Sequence, residues 1–240
     1  MKIITTSWDD GAIEDFKLAE ILNKYNLEAT FYIPQKNSER AVISEAQIRD
    51  LASVFEIGGH TLNHVFLTTV SSATQWDETN GCYNWLRETT GVSPVSFCAP
   101  KGLYNSEILQ LVKKAGFKLL RTTHLLNIKG ISNNSILPLL HTTLQMYEHP
   151  AITYWKHLIK RRKIATLILW LMMHSETELL RLTEKKLHLI RKNQAGVFHL
   201  WGHSWEIEEY NLWNKLEAVC NLLSKQNDFV YMKNNQIITS

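Results

Sequence analysis

The sequence predicts an α/β fold built on a largely parallel sheet, and two observations carry that reading. Short β-like apolar runs alternate with helical stretches along all 240 residues, as expected when helices join parallel strands. No Pro/Gly/Ser linker, repeat or low-complexity tract breaks the alternation, so one domain over 1–240 is expected. The expected strands are Lys2 to Trp8, Ala29 to Ile33, Val54 to Ile57, Val95 to Ala99, Phe117 to Thr122, roughly Leu140 to Met146, Val197 to Trp201 and Phe229 to Met232. Seven or eight strands suit a barrel. Between them, Leu212, Trp213, Leu216, Val219, Cys220 and Leu223 recur at helical spacing on one stripe, which reads as core. Gly91 closes a helix carrying Trp76, Tyr83 and Leu86, and Gly116 ends one that opens at Ser106 and Glu107.

Composition narrows the class. With 45% hydrophobic and 20% charged residues the chain is ordinary for a globular protein, and its net charge of +3 is dispersed apart from Lys160, Arg161, Arg162 and Lys163, a cluster that reads first as a solvated helix end and second as an anion contact. No basic stripe interleaves with aromatics and no glycine loop cradles phosphate, so no nucleic-acid partner is expected. Cys82, Cys98 and Cys220 form no ligand pattern and leave an odd one over, which points to reduced thiols. The first residues read as a strand with no export signal, so a cytoplasmic setting is expected. The most apolar run, Ile164 to Met173, is about half the length needed to span a bilayer, so it reads as core or as a surface-docked helix.

Several strands end in groups able to do chemistry: Asp9 and Asp10, then His60, then Pro100 with Lys101, then Arg121, then His203. In a parallel barrel those ends gather at one rim, where active sites of such folds lie. EIGGHTLNH sets His60 and His64 four residues apart, so a helical turn or compact loop can bring both rings to one side. Two histidines, a carboxylate and an open water position are the usual ligand set of a hydrolytic zinc site. The bland alternative for the SWDDG aspartates is N-capping of a helix near Ala12, which accounts for one carboxylate and leaves the other unexplained.

TTSWDDG and HTLNH, in this order and spacing, resemble the first two motifs of the polysaccharide deacetylases of the NodB homology type, carbohydrate esterase family 4. The resemblance implies a distorted (β/α) barrel of about seven parallel strands. It implies that Asp10, His60 and His64 bind a divalent metal, zinc first and cobalt, nickel or manganese behind it, and that Asp9 is the catalytic base. FCAPKG is similar to the third motif, Arg-x-Pro-Tyr-Gly, but only Pro100 and Gly102 match. Cys98 replaces the arginine that orients the base, and a thiol cannot donate a forked pair of hydrogen bonds to a carboxylate. Arg121, at the end of KLLRTT on what reads as the neighbouring strand, is the candidate substitute.

The last motif, Leu-x-His, is matched by GVFHLWGHSWE, where His203 falls about one residue late and His199 falls mid-strand, so His203 is read as the catalytic acid. Pro100, Lys101, Gly102, Trp201 and Trp205 are the candidate substrate contacts. The function implied is metal-dependent removal of an N-acyl group, N-acetyl before N-formyl, from an amino sugar or glycan precursor. The alternative is a catalytically silent relative that binds carbohydrate or metal, motivated by Cys98 and Lys101 standing where the family has arginine and tyrosine. The stretch from about 149 to 193 carries no core motif and reads as an inserted helical lid or interface.

Overall fold

The computed structural model describes residues 1–160, 167–168, 171 and 177–239. Among them one curled sheet holds ten short strands. These are β1 (Lys2–Asp9), β2 (Ala29–Ile33), β3 (Glu56–Gly59), β4 (Ser96–Cys98), β5 (Leu119–Arg121), β6 (Ile131–Ser132), β7 (Leu139–Leu140), β8 (Leu144–Gln145), β9 (Gly196–His203) and β10 (Val230–Tyr231). Their spatial order is β6, β7, β5, β4, β3, β2, β1, β9, β8, with β10 along the start of β1. Pairing is parallel throughout except between β6 and β7. The sheet is a distorted (β/α) barrel, as the sequence predicts.

Its two ends meet in one stretch of chain. β7 pairs with β5, β8 pairs with β9, and between them the Thr142 and Thr143 amides donate to the His124 and His199 carbonyls. The single strand expected over Leu140 to Met146 is therefore two short ones, because the chain changes partner halfway. The strand expected from Val54 starts at Glu56, since the Val54 and Phe55 amides still bond back to the Leu51 carbonyl at the end of the preceding helix. The two-residue β6 carries no pattern that the sequence could advertise.

The helices are α1 (Asp15–Lys24), α2 (Glu45–Ala52), α3 (Ser72–Thr90), α4 (Ser106–Ala115), α5 (Ala151–Lys160), α6 (Leu179–Asn193), α7 (Ser204–Glu209) and α8 (Trp213–Ser224). Ser44 and Gln47 form a capping box on α2, and left-handed Gly91 and Gly116 end α3 and α4. α8 buries Leu216, Val219, Cys220 and Leu223 of the expected stripe. Residues 179–193 of the stretch read as an insertion form α6, which sends Leu182, Leu187 and Ile190 into the main core.

Strand alternation sorts the side chains. Ile4, Trp8, Phe31, Ile33, Phe198 and Leu200 face the helices in one core. The alternate residues fill the barrel in layers. Ile3, Leu119, Leu140 and Val197 close its base with Ile237. Beside them Glu56 accepts from Thr30 Oγ1, Ser96 Oγ and the Asn235 amide at 2.6, 2.7 and 2.9 Å, tying the C-terminal segment to the barrel. A polar middle layer follows, with Ser7 on His199 and Tyr32 on Asn234. Gly58 is needed there, because a Cβ would stand 2.5 Å from the Tyr32 ring. This layering leaves the strand C-termini free to carry the site. All three cysteines are free and buried. Arg161, Arg162, Lys163 and most of the run Ile164 to Met173 lie outside the described residues, among which no helix is long and apolar enough to cross a membrane.

Candidate active site

The site begins where β1 ends. Asp10 (φ 82°) and Gly11 (φ 64°) are both left-handed, which turns the chain sharply off the sheet. A Cβ on Gly11 would meet Ile33 Cγ2 at 2.7 Å, so the position excludes side chains on both counts. The turn separates the two carboxylates: Asp9 stays in the barrel mouth while Asp10 swings toward the loop after β3. Neither caps a helix, since α1 starts at Asp15 behind Glu14 with no side-chain cap.

That loop is compact rather than helical, with Thr61 (φ 64°) and His64 (φ 54°) left-handed. It brings His60 Nε2 and His64 Nε2 to 3.4 and 3.1 Å from Asp10 Oδ1. Neither contact has hydrogen-bond geometry, so Oδ1 is a buried carboxylate oxygen with no donor. Asp10 Oδ2 is taken by the Trp205 indole N–H at 2.9 Å. The His60 Nδ1–H donates to the Cys98 carbonyl at 2.7 Å, which turns Nε2 toward the carboxylate, and the loss of the Nε2 proton would free its lone pair for a metal. The ligand atoms of Asp10, His60 and His64 all lie within 4.8 Å of one another. An orphaned oxygen faced by imidazole nitrogens, two of the three groups buried, fits a divalent ion with an open coordination position. Burial works against the Asp10 charge, but His60 and His64 outweigh it and hold the carboxyl well below the usual carboxylate range.

Glu78 of α3, which no sequence motif marks, holds the loop in shape. Its carboxylate accepts from the Leu62 amide at 2.9 Å, the Asn63 amide at 2.8 Å and Asn63 Nδ2 at 2.7 Å, all between the two histidines. Glu78→Gln replaces one acceptor oxygen with a donor and should loosen the loop. Outer partners of this kind are worth about 10–100-fold in metal affinity. Chelator competition against the wild-type chain should read a loss of that order, and unchanged affinity would contradict the assignment.

Asp9 stands 3% exposed between β2 and β9, in register with Tyr32 and His203. Arg121 of β5, fully buried, sets its Nη2 against Asp9 Oδ1. Cys98, the register partner of Arg121, places its Sγ 3.9 Å from Asp9 Oδ2. The guanidinium is also flanked by the Tyr32 and Trp201 rings, each centroid 4.9 Å away. Its Nε and Nη1 have no hydrogen-bond partner, so Asp9 is the anion that balances it. Burial disfavours the Arg121 charge, and Asp9 more than restores it. An exposed ion pair of little consequence is therefore ruled out for this residue.

His203 closes β9 with Nδ1 2.7 Å from Glu206 Oε2 and Nε2 3.9 Å from Asp10 Oδ2. Burial opposes its charge, but Glu206, Asp9 and Asp10 together raise it above the usual histidine range. Gln145 Nε2 donates to Glu206 at 3.0 Å, and Gln145 Oε1 is 2.9 Å from His149 Nε2, so the pair is anchored from β8. His199 lies two layers deeper. Its Nδ1–H donates to the His141 carbonyl at 3.1 Å, Ser7 Oγ–H donates to its Nε2 at 2.8 Å, and burial with nearby Arg121 pulls it to about 3. It is a neutral interior side chain.

These groups open on a cleft of about 910 Å³, lined also by Lys101, Gly102, Trp201, Trp205, Leu103 and Tyr104. Lys101 (φ 57°) lays its Nζ 3.9 Å from the Phe66 ring centroid, and Pro100 is buried beneath the turn rather than on the cleft wall. Trp201 meets His203 edge-on at 5.5 Å, and Trp205 is covered on one face by Arg40 at 3.5 Å. Arg40 and His149, from loops, and Gln145, at the end of β8, join the site from stretches whose sequence carries no motif.

Residues 1–120 match the family model for polysaccharide deacetylase. A peptidoglycan-N-acetylglucosamine deacetylase of Bacillus cereus is 28% identical over 123 residues, 49% of this chain and 54% of that protein. The chain thus spans about half the length of this curated relative. A Mycobacterium smegmatis protein assigned to the polysaccharide deacetylases shares the fold at 17% identity, with a TM-score of 0.70 over 99% of this chain and 89% of that one. The Streptococcus pyogenes deacetylase PplD, solved with acetate, is 26% identical with a TM-score of 0.50 over 57% of this chain and 62% of that one. With the family model covering half the chain and the aspartates and histidines of its motifs gathered at one barrel rim, this chain belongs to the polysaccharide deacetylase family.

Proposed function

We propose that the chain is a metal-dependent hydrolase that removes an N-acyl group, N-acetyl first, from an amino sugar or glycan precursor. The observation that carries the reading is the Asp10, His60 and His64 donor set beside an Asp9 balanced by Arg121. A divalent ion held by Asp10, His60 and His64 would supply Lewis-acid polarisation of the acyl carbonyl and acidify a water. Arg121 occupies Asp9 Oδ1, and Oδ2, contacted by the weak Cys98 S–H donor at 3.9 Å, is the oxygen that would take a proton from the attacking water. Glu206 engages His203 Nδ1, which leaves Nε2 to deliver a proton to the departing amine nitrogen. An amine anion is too poor a leaving group to go without it. Trp201, Trp205, Lys101 and Gly102 offer the surfaces against which a sugar would lie. Of the two replacements that motivate a catalytically silent relative, Cys98 for arginine and Lys101 for tyrosine, the first is answered by Arg121 against Asp9, which favours an active enzyme.

The test is acyl release across a panel of N-acetylated and N-formylated amino sugars, with the protein stripped by chelator and reloaded with zinc, cobalt, nickel or manganese. Release that disappears on stripping and returns on reloading is expected; no release from any member in any metal form would overturn the proposal. The acid has its own signature. Activity needs His203 protonated, so its raised pKa carries turnover to higher pH. Glu206→Gln removes the carboxylate that raises it, and the alkaline limb of the kcat profile should move to lower pH. A limb that stays in place would take His203 out of the acid role.

A further inference from the structure

We propose that α5 docks the chain on an anionic lipid surface. Of the twelve large apolar side chains that stand exposed among the described residues, five fall between residues 152 and 171, and the rest are scattered. Ile152, Trp155 and Ile159 are 52%, 45% and 46% exposed at spacings of three and four, which puts them on one face of the helix. Ile168 and Leu171 are likewise about half exposed. On the opposite side of α5, Tyr154 is buried in the main core and Thr153 lines the cleft. The helix is thus seated on the barrel by one face and presents the other outward.

The charge of this stretch selects the occupant. Lys156, exposed beside Trp155, is followed in the sequence by Lys160, Arg161, Arg162 and Lys163, and no acid occurs between Glu148 and Glu176. Five cations here exceed the +3 of the whole chain. An apolar helix face carrying tryptophan, in a stretch of sequence whose charged residues are all lysines and arginines, matches an in-plane helix at an anionic headgroup layer. A second copy of this chain fits poorly. A two-fold interface would bring together two copies of a stretch that is basic in sequence and has no acid to answer it. Because Thr153 belongs to both the helix and the cleft, docking holds the cleft mouth close to the lipid. Under the proposed hydrolase reading, it would present there to a glycan carried on a lipid.

The experiment is co-sedimentation of the full chain with vesicles of phosphatidylcholine alone and of phosphatidylcholine mixed with phosphatidylglycerol. Binding to the mixed vesicles, weak binding to the neutral ones, and release by added salt are expected. Trp155→Ser with Ile159→Ser should weaken binding by at least about tenfold, since it removes most of the apolar anchor. Both positions are exposed, so the core is untouched and hydrolysis of a water-soluble substrate should persist. Lys156→Glu gives a second reading that leaves the apolar face whole, and it should also lower binding. No binding to mixed vesicles, or equal binding by the serine variant, overturns the proposal. So does a dimer that the serine variant breaks up, which would assign the face to a second copy. Sedimentation needs no turnover, so an inactive chain that binds sinks only the hydrolase reading.

Discussion

Asp9→Asn is expected to keep the metal and lose about 10²–10⁴-fold in kcat, the range that a positioned acid or base contributes. The asparagine side chain has nearly the same shape, so the Asp10, His60 and His64 donors, which Asp9 does not join, should stay in place. What disappears is an oxygen able to take a proton. The substitution also leaves Arg121 as a buried cation without its anion, and removing one partner of a buried pair costs about 3–5 kcal/mol. A lower Tm should therefore accompany the lost turnover. Metal stoichiometry and acyl release, measured on the same preparation, check the prediction. Undiminished turnover would remove Asp9 from the chemistry.

Arg121→Ala should produce nearly the same pair of losses from the other side. Asp9 would become a buried carboxylate without counter-charge, and the oxygen that Arg121 holds would be free to rotate away from the substrate. Removal of the guanidinium also leaves a space between the Tyr32 and Trp201 rings, so part of the destabilisation is lost packing. Arg121→Lys separates the two effects. It keeps a cation but not the planar donor, so it should recover stability more fully than kcat. A lysine variant with wild-type kcat would show that charge alone suffices.

The site was legible in proportion to how local each part is. Asp9, Asp10, His60 and His64 sit in two contiguous motifs, and the sequence brought them forward together. Arg121 could be named only because strand order sets β5 beside β4, where Cys98 leaves a position for a cation. Glu78 stays invisible because it acts on backbone amides 15 and 16 residues away, and nothing in a helix sequence announces such a partner. In the sequence Trp205 reads as a candidate substrate contact, but its indole N–H on Asp10 depends on the turn into α7. The barrel was legible in its long strands and blurred in its short ones. β7 and β8 exist because one extended stretch serves two neighbours, and periodicity cannot tell that from one strand.

The central claim is that the cation missing from Cys98 is supplied from the adjacent strand. Cys98 and Arg121 are register partners whose side chains both reach Asp9, so the two can be exchanged with little change of volume. The measurement is kcat for metal-loaded wild type, Arg121→Cys alone, and Arg121→Cys combined with Cys98→Arg. The single variant should lose turnover while keeping its metal, and the exchange should restore most of it. Full turnover in the single variant, with metal bound, would contradict the account.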